Sequence, residues 1–95
     1  MKSLGELSMS KFSFEDEGWL HYVYWQLQDR KTLRRINQLL QSIERDGALN
    51  GIGKPERLKH QDAYSRRIDD TNRLIYKVQG DETIVLSCKG HYEDK

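Results

Sequence analysis

The sequence is poor in cysteine, in proline and in long apolar runs. Its 95 residues include one cysteine, Cys88, and one proline, Pro55. A lone cysteine cannot form an internal disulfide, and no Cys/His spacing matches a zinc site. No run of about 18 apolar residues is present, which excludes a membrane span. Residues 1–14 lack the apolar core of a signal peptide, so we expect a cytoplasmic protein.

A chain of 95 residues is short, and one domain over residues 1–95 is the expectation. Residues 1–10 have no helical periodicity and are a candidate for disorder, while residues 93–95 form a short polar tail. Met9 is an alternative start, because the sequence resumes there with a pattern that leads into the first predicted strand. A domain of this size buries a modest core, so a large ligand must bind on its surface.

The net charge is only +1, but it is unevenly distributed. Residues 1–29 carry −3, residues 30–46 carry +3, residues 54–77 carry +3 and residues 78–95 carry −2. A basic middle between acidic ends is compatible with a phosphate-binding face. It is equally typical of a solvated surface of mixed charge, and charge alone favours that second interpretation.

Apolar spacing predicts two helices in the first half of the chain. From Glu15 to Leu27 apolar side chains recur three or four residues apart, and a second stripe runs from about Thr32 to Arg45. A short polar link between them predicts an αα-hairpin. The helical aromatic residues are expected in the core or in a dimer interface, whereas His21 is expected to be exposed and inert. These aromatic residues are Trp19, Tyr22 and Trp25.

The rest of the chain predicts a loop and a small sheet. Residues 46–59 are rich in turn-forming residues. Strands are expected over residues 11–14, 64–68, 72–78 and 83–88, with turn-like links that predict an antiparallel meander. Leu74, Tyr76 and Val78 alternate onto one side, and Cys88 is expected to be buried. The predicted fold is α+β, with a first strand and a helical hairpin packed on one face of a twisted antiparallel sheet.

Two groups of residues on the other face are candidates for chemistry. The loop Gly51 to His60 could present Glu56 and Lys59 stiffly, although an ordinary surface loop has the same composition. Arg66, Arg67 and Arg73 offer planar guanidinium groups that suit phosphate oxygens. Exposed strand arginines can also simply keep a sheet soluble. The hairpin register, which decides whether Arg67 and Arg73 share a face, is not fixed by sequence.

The third candidate is the pair His91-Tyr92 near the end of the sequence. Histidine exchanges a proton near neutral pH, and a tyrosine ring stacks on an unpaired base. The alternative is a frayed terminus without a role. A carboxylate, several cations and a histidine together point to RNA cleavage by acid–base chemistry without a metal or cofactor. The signal is weak, because these residue types occur in every protein.

Four segments resemble one known family. GKPERLKH at residues 53–60, SRRI at 65–68, NRLIY at 72–76 and His91-Tyr92 are together similar to the YoeB/Txe toxins of the RelE superfamily. The resemblance spans roughly residues 14–92. It implies a compact α+β fold with a helical hairpin, and cleavage of mRNA in the ribosomal A site that inhibits translation.

The resemblance also implies roles for individual residues. Glu56 matches the general base, His91 the general acid and Arg73 the arginine that stabilises the transition state. Tyr92 matches a terminal tyrosine that orients or stacks on the substrate base. The residues predicted to bind RNA or its phosphates are Lys54, Lys59, Arg66 and Arg67.

Partners follow from the same resemblance. We expect a cognate antitoxin of the YefM/Axe type, the ribosome with its mRNA, a homodimer, and operator DNA bound only through the antitoxin. Two other functions remain open. One is a module that binds RNA or antitoxin with a degenerate, non-catalytic site, and the other is a purely structural partner of an antitoxin-like repressor.

Overall fold

Two helices and five strands make up the fold. The computed structural model describes residues 11–91; the expectations for residues 1–10, for Tyr92 and for the tail at 93–95 lie outside the described residues. The elements in chain order are β1 (Lys11–Phe14), α1 (Asp16–Gln28), α2 (Arg30–Asp46), β2 (Glu56–Arg57), β3 (Tyr64–Arg67), β4 (Arg73–Gln79) and β5 (Glu82–Ser87). The α+β fold with a helical hairpin on a sheet is confirmed.

A single residue, Asp29, separates the two helices. Its carboxylate accepts hydrogen bonds from the backbone N–H groups of Lys31 and Thr32, at 3.1 and 3.3 Å, and caps the start of α2. The hydroxyl of Thr32 donates a further bond to the same carboxylate at 2.8 Å. These bonds stabilise a sharp turn of the chain, so one residue is enough to connect the two helices.

The helices cover one face of the sheet with apolar side chains. Those of α2 at Ile36, Leu39, Leu40 and Ile43 are buried, as their spacing predicted. In α1, Trp25 lies in the core, whereas Trp19 is 50% exposed. Trp19 therefore lies outside the core of the chain and packs edge-on against Phe14 at the end of β1, which leaves a dimer interface as the remaining expectation for it. Within the described residues no helix is long and apolar enough to cross a membrane.

The sheet is mixed, with strand order β1-β5-β4-β3-β2. The predicted antiparallel pairing is confirmed for β3 with β4 and for β4 with β5. The first strand adds to β5 in parallel, with Lys11 opposite Glu82, which the purely antiparallel prediction did not include. The two-residue strand β2, predicted as loop, pairs with β3 at the other edge. That pairing brings Glu56 into the sheet.

Candidate active site

A cleft of about 210 Å³ lies on the sheet face opposite the helices. It collects most of the residues that the sequence singled out, from three separate parts of the chain. The residues that line it are Lys54, Glu56, Leu58, Ser65, Arg67, Arg73 and His91. The loop, the β3–β4 hairpin and the segment after β5 therefore converge on one site.

The strand register explains why these side chains meet. Glu56 pairs with Ser65 across β2 and β3, and Arg67 pairs with Arg73 across β3 and β4. Directly paired residues project to the same face of a sheet, and so do residues two apart in a strand. Ser65 and Arg67 are two apart, so all four side chains share the face that carries the cleft. The question of register that the sequence left open is thereby answered for Arg67 and Arg73.

The loop before β2 lies tightly against the sheet. The carbonyl oxygen of Gly53 accepts a hydrogen bond from the N–H of Arg67 at 2.7 Å. A Cβ at Gly53 would lie 2.6 Å from a methyl carbon of Leu39, and its φ of +87° is a region that other residues rarely adopt. Glycine is therefore required here. The close approach places Lys54 in the cleft beside Arg67.

The cleft is positively charged. Lys54, Arg67 and Arg73 face one carboxylate, that of Glu56. The Nη1 atom of Arg73 donates to the carbonyl oxygens of Asp69 and Asn72, at 2.9 and 3.2 Å. These bonds fix the guanidinium at the side of the cleft, where it can bind an anion without first being ordered.

The segment that carries His91 is tied to the same turn. The N–H of Gly90 donates to Oδ1 of Asn72 at 2.8 Å, and the N–H of Arg73 donates to the carbonyl oxygen of Gly90 at 3.1 Å. His91 is exposed and borders the cleft. A frayed end without contacts is therefore excluded for Gly90, the residue next to the histidine.

Arg66 does not belong to this site, and the prediction that it binds phosphate is wrong. The side chain is fully buried on the helix-facing side of β3. Its Nε, Nη1 and Nη2 atoms donate at 2.7–2.9 Å to Tyr76 Oη, Ser42 Oγ and the carbonyl oxygens of Gly47, Ile52 and Asn50. All five N–H groups of the guanidinium are used in this way, which leaves none for a phosphate. Arg66 instead fastens the loop to the core.

A signal for this burial was present in the sequence. Alternation along β3 puts Arg66 on the same face as Tyr64 and Ile68, and opposite to Ser65 and Arg67. Ile68 is buried and Tyr64 packs against the core cluster. Strand parity, applied to both arginines, separates the structural one from the one in the cleft.

Two further predicted residues are not among those that line the cleft. Lys59 is exposed, follows β2 by two residues and does not line the cleft. Tyr92 lies outside the described residues. Across residues 11–91, no three His, Cys, Asp or Glu side chains gather in a way that could hold a metal ion.

The arrangement supplies three chemical functions within one cleft. A carboxylate can accept a proton, an imidazole can donate one, and guanidinium groups can bind the oxygens of a phosphate. Ser65 and Leu58 also line the cleft. This combination suits displacement at a phosphodiester.

Comparisons with known proteins find relatives that match nearly the whole chain. Residues 14–92 match the family model of the YoeB-like toxin of bacterial type II toxin–antitoxin systems. The chain is 44% identical over 84 residues to toxin YoeB of Streptomyces coelicolor, covering 86% of this chain and 99% of that protein. The YoeB dimer from Staphylococcus aureus has a TM-score of 0.84 at 44% identity, covering 88% and 99% of the two chains. The YoeB–YefM complex from the same organism gives 0.83 at 44% identity, with 87% and 98% covered.

Proposed function

Because the chain belongs to the YoeB-like toxins of bacterial type II toxin–antitoxin systems, we propose that it is a ribosome-dependent mRNA endoribonuclease. It acts in the cytoplasm, cleaves mRNA in the A site and thereby inhibits translation. The observation that carries this proposal is the convergence of Glu56, Arg73 and His91 on one cationic cleft.

The reaction is a transphosphorylation without a metal ion. The carboxylate of Glu56 accepts the proton of a ribose 2′-OH, and the 2′ oxygen attacks the adjacent phosphorus. The bond from phosphorus to the 5′ oxygen breaks, and His91, in its protonated form, gives its proton to that leaving oxygen. The products are a 2′,3′-cyclic phosphate and a free 5′-hydroxyl. The proton gained by Glu56 and the one lost by His91 balance over a turnover.

The cations of the cleft stabilise the charge that develops in this step. Arg73 binds the non-bridging oxygens in the transition state, because its guanidinium is already fixed by two carbonyl oxygens. Arg67 and Lys54 hold the phosphate, while Lys59, just outside the cleft, binds a neighbouring phosphate. Tyr92 stacks on or orients the base beside the scissile bond.

Dependence on the ribosome fits the shape of the site. The cleft is small, with a volume of about 210 Å³, and lies on an exposed sheet face. Positioning of two reacting groups contributes a large part of many rate accelerations. The ribosome would supply that positioning by presenting the codon in a fixed conformation.

The double change Glu56→Gln with His91→Ala tests the chemistry. Each group contributes about 10²–10⁴-fold in general acid–base catalysis, so we expect cleavage to fall by at least about 10²-fold. Primer extension on one mRNA, with and without ribosomes, measures it. Glu44→Gln, an exposed carboxylate on α2, is the matched control. Undiminished cleavage by the double variant contradicts the assignment, and translation arrest without any cleavage by the unaltered chain favours the non-catalytic module.

Metal independence has its own test. A phosphorothioate at the scissile linkage should slow the reaction equally in Mg²⁺ and in Mn²⁺, because no metal touches the substituted oxygen. Rescue by Mn²⁺ in the primer-extension assay would show a metal at the phosphate and overturn this part of the mechanism.

We propose the partners on the same basis. The relatives include a YoeB–YefM complex and a YoeB dimer, so we expect a YefM/Axe-like antitoxin to neutralise this chain, a homodimer to form, and operator DNA to be bound only through the antitoxin. Expression of the chain alone should arrest growth, and coexpression with the antitoxin should relieve the arrest. Absence of toxicity when it is expressed alone would favour a purely structural partner of a repressor.

A further inference from the structure

The chain between β5 and His91 is held by two side chains of α1. The N–H of Cys88 donates to Nδ1 of His21 at 3.1 Å, and Nε1 of Trp25 donates to the carbonyl oxygen of Cys88 at 2.8 Å. We call this pair of bonds the Cys88 anchor. Cys88 follows the last residue of β5, so the anchor replaces sheet pairing where the strand ends. The expectation that His21 is exposed and inert is therefore wrong.

The position of His21 follows from the packing of α1. His21 and Trp25 are four residues apart and share a helix face, and Gly18 lies one turn earlier on that face. A Cβ at Gly18 would overlap the carbonyl oxygen of Val85, so glycine lets α1 lie directly on β5. The helix face Gly18-His21-Trp25 thus runs along the end of the last strand.

The two residues between the Cys88 anchor and His91 also have contacts, Lys89 with α1 and Gly90 with the β3–β4 hairpin. The ammonium of Lys89 lies 4.8 Å from the ring centre of Tyr24 on α1. The next residue, Gly90, is bonded to Asn72 and Arg73 in the β3–β4 hairpin. His91 is therefore three residues beyond a fixed point and one residue beyond a second one.

We propose that His21 is a positioning residue for His91: by accepting the hydrogen bond of the Cys88 amide, it sets the path of the segment that carries the acid into the cleft. The inference rests on the proposed function, in which His91 protonates the leaving oxygen. His21 touches neither substrate nor reacting atoms. Its effect passes through the backbone of Cys88, Lys89 and Gly90.

The bond requires one protonation state of His21. Nδ1 can accept only when it carries no proton, so the neutral ring has its proton on Nε2, which faces the Glu17 carboxylate at 3.7 Å. Burial lowers the pKa of His21 and Lys89 lowers it further, against the opposing effect of Glu17. The neighbouring thiol of Cys88 stays neutral, because burial raises its pKa to about 12. Acid places a proton on Nδ1 opposite the Cys88 N–H and breaks the bond.

Three substitutions separate positioning from simple destabilisation. His21→Leu removes the acceptor, whereas His21→Asn keeps an oxygen close to the place of Nδ1 without titrating near neutral pH. Gln26→Ala on the exposed side of α1 is the control. We expect His21→Leu to lower kcat for ribosome-bound mRNA about 10- to 100-fold with KM unchanged, since small displacements of a reacting group have effects of this size. The kcat of His21→Asn should stay within about twofold of that of the unaltered chain. In its pH–rate profile, the part of the decrease at low pH that is due to His21 should be absent.

A substrate with a sulfur in place of the 5′ bridging oxygen gives the decisive readout. A thiolate leaves without being protonated, so the defect of His21→Leu should disappear on this substrate, as should that of His91→Ala. Hydrogen exchange at the amides of Cys88 and Gly90 should be faster in His21→Leu and unchanged in His21→Asn. Equal slowing of both substrates means that His21 acts through the fold as a whole, and overturns the proposal.

The remaining outcomes are also decisive. Normal cleavage of the oxygen substrate by His21→Leu overturns the positioning role while leaving the proposed function intact. If the unaltered chain cleaves neither substrate, the proposed function fails. In that case amide exchange still tests whether His21 holds the Cys88 segment. Unchanged exchange in His21→Leu would refute the Cys88 anchor too.

Discussion

At the scale of single residues, two adjacent arginines in one strand have opposite roles. Arg66 is buried and saturated by backbone carbonyl and side-chain oxygens, whereas Arg67 is exposed in the cleft. Composition predicts both as phosphate ligands, because arginine is rarely buried without a partner. The partners of Arg66 come from residues 42–52 and from Tyr76. Carbonyl groups of a loop carry no side-chain signature, so these contacts leave no motif in the sequence.

Paired methionine substitutions test this contrast. Arg66→Met removes the donor to the carbonyl oxygens of Gly47, Ile52 and Asn50 and to the hydroxyl of Tyr76, and we expect a loss of about 3–5 kcal/mol in the free energy of unfolding. Arg67→Met should change it by no more than about 0.5 kcal/mol. Urea denaturation followed by fluorescence measures both. Equal stability of the two variants would refute the structural role of Arg66.

At the scale of elements, the sequence predicted the helices and strands that have a strong periodic pattern. It did not predict the strand pairings that have no local signal. The stripe of α2 and the alternation of β4 are strong, so both elements were predicted within a few residues of their bounds. The parallel pairing of β1 with β5 joins residues far apart in the chain, and nothing near Lys11 indicates its partner. β2 is two residues long and follows Gly51, Gly53 and Pro55, which are typical of loop. Glu56, Arg67, Arg73 and His91, which the sequence singled out, line one cleft, and that they form a functional site with the expected roles stays a prediction.

The β3–β4 hairpin gives a prediction about salt. Arg67 and Arg73 form one cross-strand pair on the cleft face. If Arg67 contacts a phosphate, Arg67→Ala should weaken RNA or ribosome binding more at low salt than at high salt, and reduce the slope of log K against log[salt] by about 1. Binding titrations at several salt concentrations measure it. A slope identical to that of the unaltered chain would count against a phosphate contact.

At the scale of the whole molecule, stability should decrease in two separate steps as the pH falls. Burial holds the pKa of His21 below its ordinary value of 6.5, so the unfolded chain binds that proton first and stability declines from about pH 6.5 downward. A hydrogen bond from Thr32 lowers the pKa of Asp29, and one from Arg45 lowers that of Asp46. The stability that these ionised carboxylates contribute is present above pH 3.8, and it is lost at lower pH when they are protonated.

His21→Asn separates these two steps. The variant should lose the decline between pH 6.5 and the lowered pKa of His21, and keep the decline below 3.8. Thermal unfolding across this range measures both. A profile that is unchanged in the variant would mean that His21 titrates alike in the folded and unfolded chain.

The parallel pairing of β1 with β5 has a consequence for how the protein is made. Among the described strands, β1 is paired with β5 alone, so it has no strand partner while the ribosome synthesises the residues between them. His91 is added later still, after β5. A nascent chain that already contains Glu56 therefore still lacks β5, the partner of β1, and the imidazole of His91. With His91 as the proposed general acid, the catalytic group is incomplete until this last part of the chain has been synthesised.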